Sequence, residues 1–549
     1  MASTTARVGL TALALALAST LPALADPPDA PAPAAAAATS PAPTATPNPF
    51  STSGRFRSYY FTRQNASNNP GAQFNFTPGA KYSTTGVNQA TWSNAIDLHA
   101  DYHFAGGGWY VGGSYLFSDP FNGPCVTAPT HIKGQPCVSQ SPPNTNPDDS
   151  VPGFVLNTFY EAYIGYTAGG FSAKLGDQLF DSPWANPEDS RLKPEAFQGG
   201  DFKYETPQGF TYELADMLQF EPRTSSTFQS NTLLTSYPAG NSGLPANIYV
   251  PGGGGITTAG FIYGKVGYAP KGGPLAADGY FYGVSDIVNM YWGDAKYTFG
   301  KSSLKPYVAV QGGWESNSGA SYIGKIQSSV IGAQLGVTPW SGKAGSVTIA
   351  GSFDETPWHY DTVALPAHVA CGANYQISAK GATLPYFLPT NAAACVANPD
   401  GTTTIAYGGW ASPYTDNYTS NPVFTTAISQ SAADRRAPMS AWGVSATFQS
   451  RNKRETFIVA QVWSDYSNNI ASQHTNEFDL DNTYRFMPMP KSGPYKGLAF
   501  RYRYAARTFS NTFCGASDTA CPAGLSYGAA FLGGSPLFKY NRAMLEYDF

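Results

Sequence analysis

The chain has 549 residues, with 32 Lys and Arg against 36 Asp and Glu for a formal net charge of −4; only 12% of residues are charged while 14% are aromatic. A soluble domain carries about 25% charged residues, so this composition argues against a large water-soluble protein and against a basic nucleic-acid binder. No stretch beyond the leader approaches the roughly 18 consecutive apolar residues of a membrane helix, which excludes a helical bundle in lipid and leaves a transmembrane β-barrel.

Residues 1–25 read as a secretory signal peptide: Arg7 opens it, V-G-L-T-A-L-A-L-A-L-A-S-T-L follows, and Ala23-Leu24-Ala25 supplies a small-x-small cleavage site. Residues 26–49 are almost wholly Ala, Pro, Thr and Ser, a composition that buries no core and predicts a disordered periplasmic tether. Fold reasoning therefore concerns residues 50–549, expected to form one outer-membrane β-barrel.

Within that span, segments of alternating hydrophobicity recur, joined by short turns and long loops in alternation. The first is R-F-R-S-Y-Y-F-T-R at 55–63, and the second is 92–104, where Trp92, Ile96, Leu98, Tyr102 and Phe104 oppose Asp97, His99, Asp101 and His103. Strands are then predicted at 109–117, 156–168, 171–181, 200–206, 210–220, 260–269, 279–286, 289–299, 304–314, 328–338 and 345–354. The last five are 439–450, 455–465, 475–487, 497–509 and 536–549. Eighteen is an even number, as bacterial barrels require. With the amino end in the periplasm, the short connectors at 106, 168, 207, 300 and 451 all fall on the periplasmic side. The long ones at 119–155, 221–259, 355–438 and 510–535 all fall outside. The expected fold is all-β: a transmembrane, antiparallel, up-and-down barrel of about 18 strands, ending in an apolar-alternating strand with a terminal aromatic, Phe549.

The seventeenth predicted strand, G-L-A-F-R-Y-R-Y-A-A-R-T-F, puts Arg501, Arg503 and Arg507 in one parity and Leu498, Phe500, Tyr502 and Tyr504 in the other. In a barrel wide enough for water the polar parity faces the lumen, because an arginine turned to lipid costs about 2–4 kcal/mol near the midplane. Arg55, Arg57 and Arg63 repeat the pattern on the first strand, and Arg542 lies on the last. First and last strands of a closed barrel are neighbours, so these seven arginines are expected to form one cationic stripe that draws charged solutes. Asp97, Asp101, Glu161, Asp201, Glu205, Glu477, Asp479 and Asp481 share the inward parity and are expected to neutralise part of it.

The six cysteines form local pairs, Cys125 with Cys137, Cys371 with Cys395 and Cys514 with Cys521, each in a long loop. In an exported protein they read as loop-closing disulfides, although six thiols permit 15 connectivities.

Residues 176–199, G-D-Q-L-F-D-S-P-W-A-N-P-E-D-S-R-L-K-P-E-A-F-Q-G, do not resemble an ordinary surface loop. Asp181-Ser182-Pro183, Asp189-Ser190-Arg191 and Pro194-x-x-Phe197-x-Gly199 follow, in order and spacing, the third-loop segment of the OprD-like outer-membrane porins of Gram-negative bacteria. R-S-Y-Y-F-T-R at 57–63 resembles that family's first strand, and D-E-T-P-W at 354–358 is a weaker echo. The resemblance implies a monomeric 18-strand barrel, rather than a trimer, whose third loop folds inward and narrows the pore. It implies passage of small carboxylates, basic amino acids or short peptides along a basic ladder, with Asp181, Asp189 and Arg191 at the constriction. The Ala/Pro tether, the cysteine pairs and the long loop around Cys371 and Cys395 depart from the family.

No enzyme motif accompanies these features: neither G-x-S-x-G nor HExxH occurs, and His99 and His103, four residues apart on one strand face, are separated by about 13 Å, too far to share a metal. No cofactor or metal is expected. The partners expected are outer-membrane lipid, lipopolysaccharide and small charged solutes. Two other readings compete: a carbohydrate porin, which needs aromatic rails inside the lumen, with Tyr163, Trp292 and Tyr540 as inward candidates; and a structural or adhesive barrel.

Overall fold

Alternating strands in hydrocarbon cannot leave an edge unpaired, because each unsatisfied backbone group there costs several kcal/mol. The computed structural model meets that requirement by closing the sheet on itself. It describes residues 49–65, 89–119, 155–223, 225–233, 257–320, 326–363, 394–415, 421–433, 439–467, 471–487, 496–513 and 538–549, apart from single positions 190, 301, 303, 398, 401 and 430.

The first half of the wall comprises β1 (Phe50–Asn65), β2 (Gln89–His103), β3 (Trp109–Asp119), β4 (Leu156–Ala168), β5 (Phe171–Gln178), β6 (Ala196–Glu205), β7 (Phe210–Glu221), β8 (Phe261–Tyr268) and β9 (Leu275–Val284). It continues through β10 (Val288–Thr298), β11 (Tyr307–Asn317), β12 (Gln327–Ser341) and β13 (Gly345–Glu355). Three short strands follow in the next connector, β14 (His359–Val363), β15 (Ala394–Ala397) and β16 (Thr403–Tyr407), before β17 (Ser440–Ser450), β18 (Glu455–Ser467), β19 (Ala471–Arg485), β20 (Gly497–Phe513) and β21 (Phe538–Asp548) complete the wall. Eighteen strands form one antiparallel sheet in which each pairs with its sequence neighbours, and β1 also pairs with β21, so no edge remains. β14, β16 and β15 form a separate three-stranded sheet.

All eighteen predicted strands are present. Their ends shift by up to five residues: β1 starts at Phe50 rather than 55, β6 at Ala196 rather than 200, and β9 at Leu275 rather than 279, where L-A-A-D offers little contrast between faces. The extra sheet was invisible to the periodicity because its strands span only four or five residues. Among the described residues there is no helix.

One rim carries the tight turns. Between β4 and β5, Gly170 adopts φ 87°, and a Cβ there would lie 2.4 Å from the Glu205 carbonyl oxygen, so only glycine fits. At the seam the last residue is hydrogen-bonded to the first strand: Gly54 N–H donates to Phe549 O and Phe549 N–H to Gly54 O, both at 2.9 Å. A Cβ on Gly54 would stand 2.3 Å from the Phe549 ring, so the terminal aromatic occupies the space a side chain would fill.

The outward parity is apolar and open: Phe159 is 68% exposed, Leu214 and Leu335 65%, Trp442 60% and Ile331 59%. So large a band of exposed aliphatic and aromatic side chains fits hydrocarbon rather than water.

Candidate functional site

Arg501 and Arg503 on β20, Arg542 on β21, and Arg55 and Arg57 on β1 all point into the lumen and are buried there. Arg507 continues the same parity on β20. Arg63 stands on β1 opposite Tyr540, and its side chain lies outside the described residues. The predicted stripe is therefore one patch of inner wall across three neighbouring strands.

Sequence reasoning expected acids of the strands to neutralise only part of this charge. The guanidinium groups are instead paired, because carboxylates and loop carbonyls converge on them. Asp481, directly opposite Arg503 in register, accepts from Arg501 Nη2 at 2.7 Å and from Arg503 Nε at 2.9 Å. On β21, Glu546 accepts from Arg57 Nε at 2.7 Å and Asp548 from Arg55 Nε at 2.9 Å. Arg542 lies 5.1 Å above the Tyr540 ring and 5.9 Å from that of Tyr59.

The third loop, between β5 and β6, docks on this patch through its D-S-R segment. Asp189 accepts from Arg55 Nη1 at 2.7 Å and from Arg57 Nη2 at 3.0 Å, with a further short bond from Arg57 Nη1. Arg57 Nη1 also donates to the Arg191 carbonyl at 2.7 Å. Burial alone would raise the Asp189 carboxyl, but Arg57 and Arg55 outweigh it and hold the group below the ordinary carboxylate range. The Arg191 side chain is buried beside it, while Asp181 remains exposed in the lumen. Lys193 and Glu221, both fully buried, pair at 3.1 Å behind the loop, and Arg223 pairs with Glu188.

On the far wall the lumen holds a large aromatic and aliphatic cluster beside the buried carboxyls of Asp278 and Asp294. Trp184 of the third loop meets Trp292 of β10 edge-to-face and Trp410 at a tilt, each with ring centres 5.1 Å apart, and Phe180 packs at 5.0 Å on Tyr263. Tyr163, Trp292 and Tyr540 face inward as expected, but Tyr59, Tyr263, Tyr280 and Tyr282 do so as well. These rings pack against the loops and one another, so they form a core rather than a free rail.

What the sequence did not reveal is a second plug. After β16 the seventh loop, the connector between β13 and β17, turns into the barrel, and its residues 408–415 and 421–433 fill the lumen, with Trp410, Tyr414, Val423, Phe424 and Ile428 buried. Lumenal acids hold its backbone. Glu315 accepts from Ala411 N–H at 2.8 Å, Asp354 from Thr425 N–H at 2.6 Å, Asp479 from Ile428 N–H at 3.0 Å and Glu477 from Ser429 N–H at 2.7 Å. Arg507 Nη1 donates to Ser429 O at 2.5 Å. Neutralising arginines is thus only one task of these carboxylates. The available signal was a cluster of large apolar residues inside a connector otherwise rich in Ser, Thr, Asn and Pro.

The cysteine pairings fall outside the described residues: Cys125, Cys137, Cys371, Cys514 and Cys521 are not among them, and of Cys395 only the backbone in β15 is. The leader and tether, residues 1–48, likewise lie outside.

No family model matches the sequence, and no curated protein matches it significantly. Solved structures do match. Pseudomonas aeruginosa OccK9 (OpdG) superposes with a TM-score of 0.56 at 14% identity, over 91% of this chain and 98% of its own. P. aeruginosa OccK2 (OpdF), solved in complex with glucuronate, gives 0.55 at 12% identity over 91% and 98%. P. aeruginosa OpdK with vanillate gives 0.54 at 13% identity over the same shares. At such identities the likeness concerns the fold, and the third-loop motif had pointed to the same architecture. The chain is a closed 18-strand antiparallel β-barrel with the fold of the Pseudomonas OccK and OpdK porins.

Proposed function

We propose that the protein is a passive channel for small solutes bearing a carboxylate, which pass along the arginine wall and through the gap left by the third and seventh loops. The observation that carries this reading is the convergence of Arg55, Arg57, Arg501, Arg503, Arg507 and Arg542 on one lumenal face, opposite an apolar, loop-filled face. Guanidinium groups in a low-dielectric passage attract carboxylates strongly, and their fork geometry suits bidentate contact. The glucuronate and vanillate held by two structures of the same fold are both carboxylates, which supports this solute class. Asp181, Asp189 and Arg191 line the narrowing in this reading. Asp189 acts by fixing the loop rather than by touching solute.

A sugar porin is less favoured because the inward aromatics are consumed by packing. A structural barrel has one observation behind it, the extent to which loops fill the lumen. Reconstitution in a planar bilayer separates the three readings. Open-channel steps that benzoate interrupts, and that weaken in Arg507→Ala, support the carboxylate channel. Interruption by maltose alone would favour the sugar porin, and the absence of any conductance the structural barrel.

A further inference from the structure

The arginine wall of the lumen is paired, whereas the cations on the rim of short turns are not. Going round the cylinder, the connectors β2–β3, β4–β5 and β6–β7 read F-A-G-G-G, G-G and T-P-Q-G and carry no charge. The next five, at 269–274, 299–306, 342–344, 451–454 and 486–496, read A-P-K-G-G-P, F-G-K-S-S-L-K-P, G-K-A, R-N-K-R and F-M-P-M-P-K-S-G-P-Y-K. Each of these carries Lys or Arg, and none carries Asp or Glu. The strands they join are neighbours in the sheet, so the five lie side by side as one cationic arc.

Lys271, Lys305, Lys343, Arg451, Lys453 and Lys496 are exposed, and their side chains form no ion pair or hydrogen bond among the described residues. Lys305 and Lys453 hold φ 42° and 56°, the left-handed region where glycine or asparagine sits with little strain. Lysine is kept there despite the strain, a sign that its side chain has a task. The charges are densest where two turns touch: Arg451 N–H donates to the Ala344 carbonyl at 3.0 Å, which brings the turn of Lys343 against that of Arg451 and Lys453. Exposed apolar side chains stand beside them, Phe299 and Leu304 in the connector of Lys305, Trp340 before the Lys343 turn, and Phe486 and Met487 in the connector of Lys496. Such a fringe marks the boundary between hydrocarbon and headgroups, so it sets these cations at the depth of lipid phosphates.

We infer that this arc is a docking surface for anionic phospholipid headgroups of the periplasmic leaflet. A phosphodiester accepts hydrogen bonds from one or two of the free cations, while its acyl chains lie on the apolar outer parity of the strands above. Each charge engaged strengthens the binding of an anionic lipid about fivefold. The uncharged sector from β2 to β7 offers no such contact. This inference rests on the proposed outer-membrane channel and adds a lipid partner to it.

Native mass spectrometry of the detergent-purified protein with dioleoyl phosphatidylglycerol or dioleoyl phosphatidylcholine tests it, since the two lipids share chains and a phosphate but differ in net charge. Phosphatidylglycerol is expected to bind about fivefold more tightly. The triple variant Lys343→Gln/Arg451→Gln/Lys453→Asn should lose most of that preference. In the unmodified protein the preference should also shrink as ionic strength rises, a readout that needs no variant to fold. Equal affinity for the two lipids would overturn the inference, as would a preference that survives high salt or persists in the folded triple variant. Binding to isolated peptidoglycan sacculi that the triple variant loses would assign the arc to the cell wall and overturn it as well. Protein that stays dispersed in water without detergent or lipid would sink the membrane reading itself.

Discussion

Arg503 and Arg542 stand directly opposite one another on β20 and β21. Two like charges in that position repel. The pair persists because Asp481 grips Arg503 from β19 while Tyr540 and Tyr59 offer Arg542 the negative faces of their rings. Asp481→Asn therefore leaves two guanidinium groups facing each other with less compensation. We expect it to destabilise the folded barrel by about 3–5 kcal/mol, the range for breaking a buried ion pair. The double variant Asp481→Asn/Arg503→Leu should recover part of that loss. The temperature at which the compact electrophoretic form of the barrel is lost measures both.

Asp189 is the latch of the third loop. Asp189→Asn removes the charge that Arg55 and Arg57 share, and single-channel conductance is expected to rise about twofold to fivefold as the loop loosens, an effect on the order of 1 kcal/mol at the constriction.

The same latch sets a pH dependence. Its carboxyl is held below the ordinary carboxylate value in the folded protein. A depressed group contributes stability that is present above its unfolded pKa, about 3.9, and that is lost as pH falls through the lower folded value. Conductance should therefore stay level from neutral pH down to about 4 on account of this group and rise only in stronger acid. A rise centred near pH 6 would place the latch elsewhere.

Trp184 joins the third loop to the far wall and to the seventh loop through two ring contacts at 5.1 Å. Trp184→Ala is expected to cost about 3–5 kcal/mol of loop docking. It should admit polyethylene glycols larger than those the unmodified channel excludes, as polymer-exclusion sizing would report.

Gly54 leaves room for the Phe549 ring. Gly54→Leu should displace that ring and weaken the seam between β1 and β21, lowering the yield of membrane-assembled barrel, while Gly54→Leu with Phe549→Ala should restore part of it. Yield is read from the fraction that resists extraction from outer membranes.

The wall was legible because lipid enforces a strict rule: a side chain on a strand faces hydrocarbon or it does not, and Arg501, Phe500 and their neighbours obey it residue by residue. Burial of the third loop was legible only through its resemblance to a known motif. The seventh-loop plug was hidden because a loop folded into a lumen needs no periodicity. Trp410, Tyr414 and Phe424 are buried by wall residues far away in sequence, and Glu315, Asp354, Glu477 and Asp479, which bind its backbone, read on their strands as ordinary pore lining. Ion pairing of the arginines was underestimated for the same reason, since Asp189 approaches Arg57 from a loop whose path the alternation does not encode.

The seventh-loop anchors run from Phe220 on β7, whose ring lies 5.4 Å from that of Tyr414, through Glu315 on β11 and Asp354 on β13 to Asp479 on β19, so they reach from one side of the cylinder to the other. The plug consequently braces the ring from within, as a spoke does a wheel. A bilayer that squeezes the barrel sideways must break those bonds before the circular section can flatten, so the width of the passage is set by the loop as much as by the number of strands.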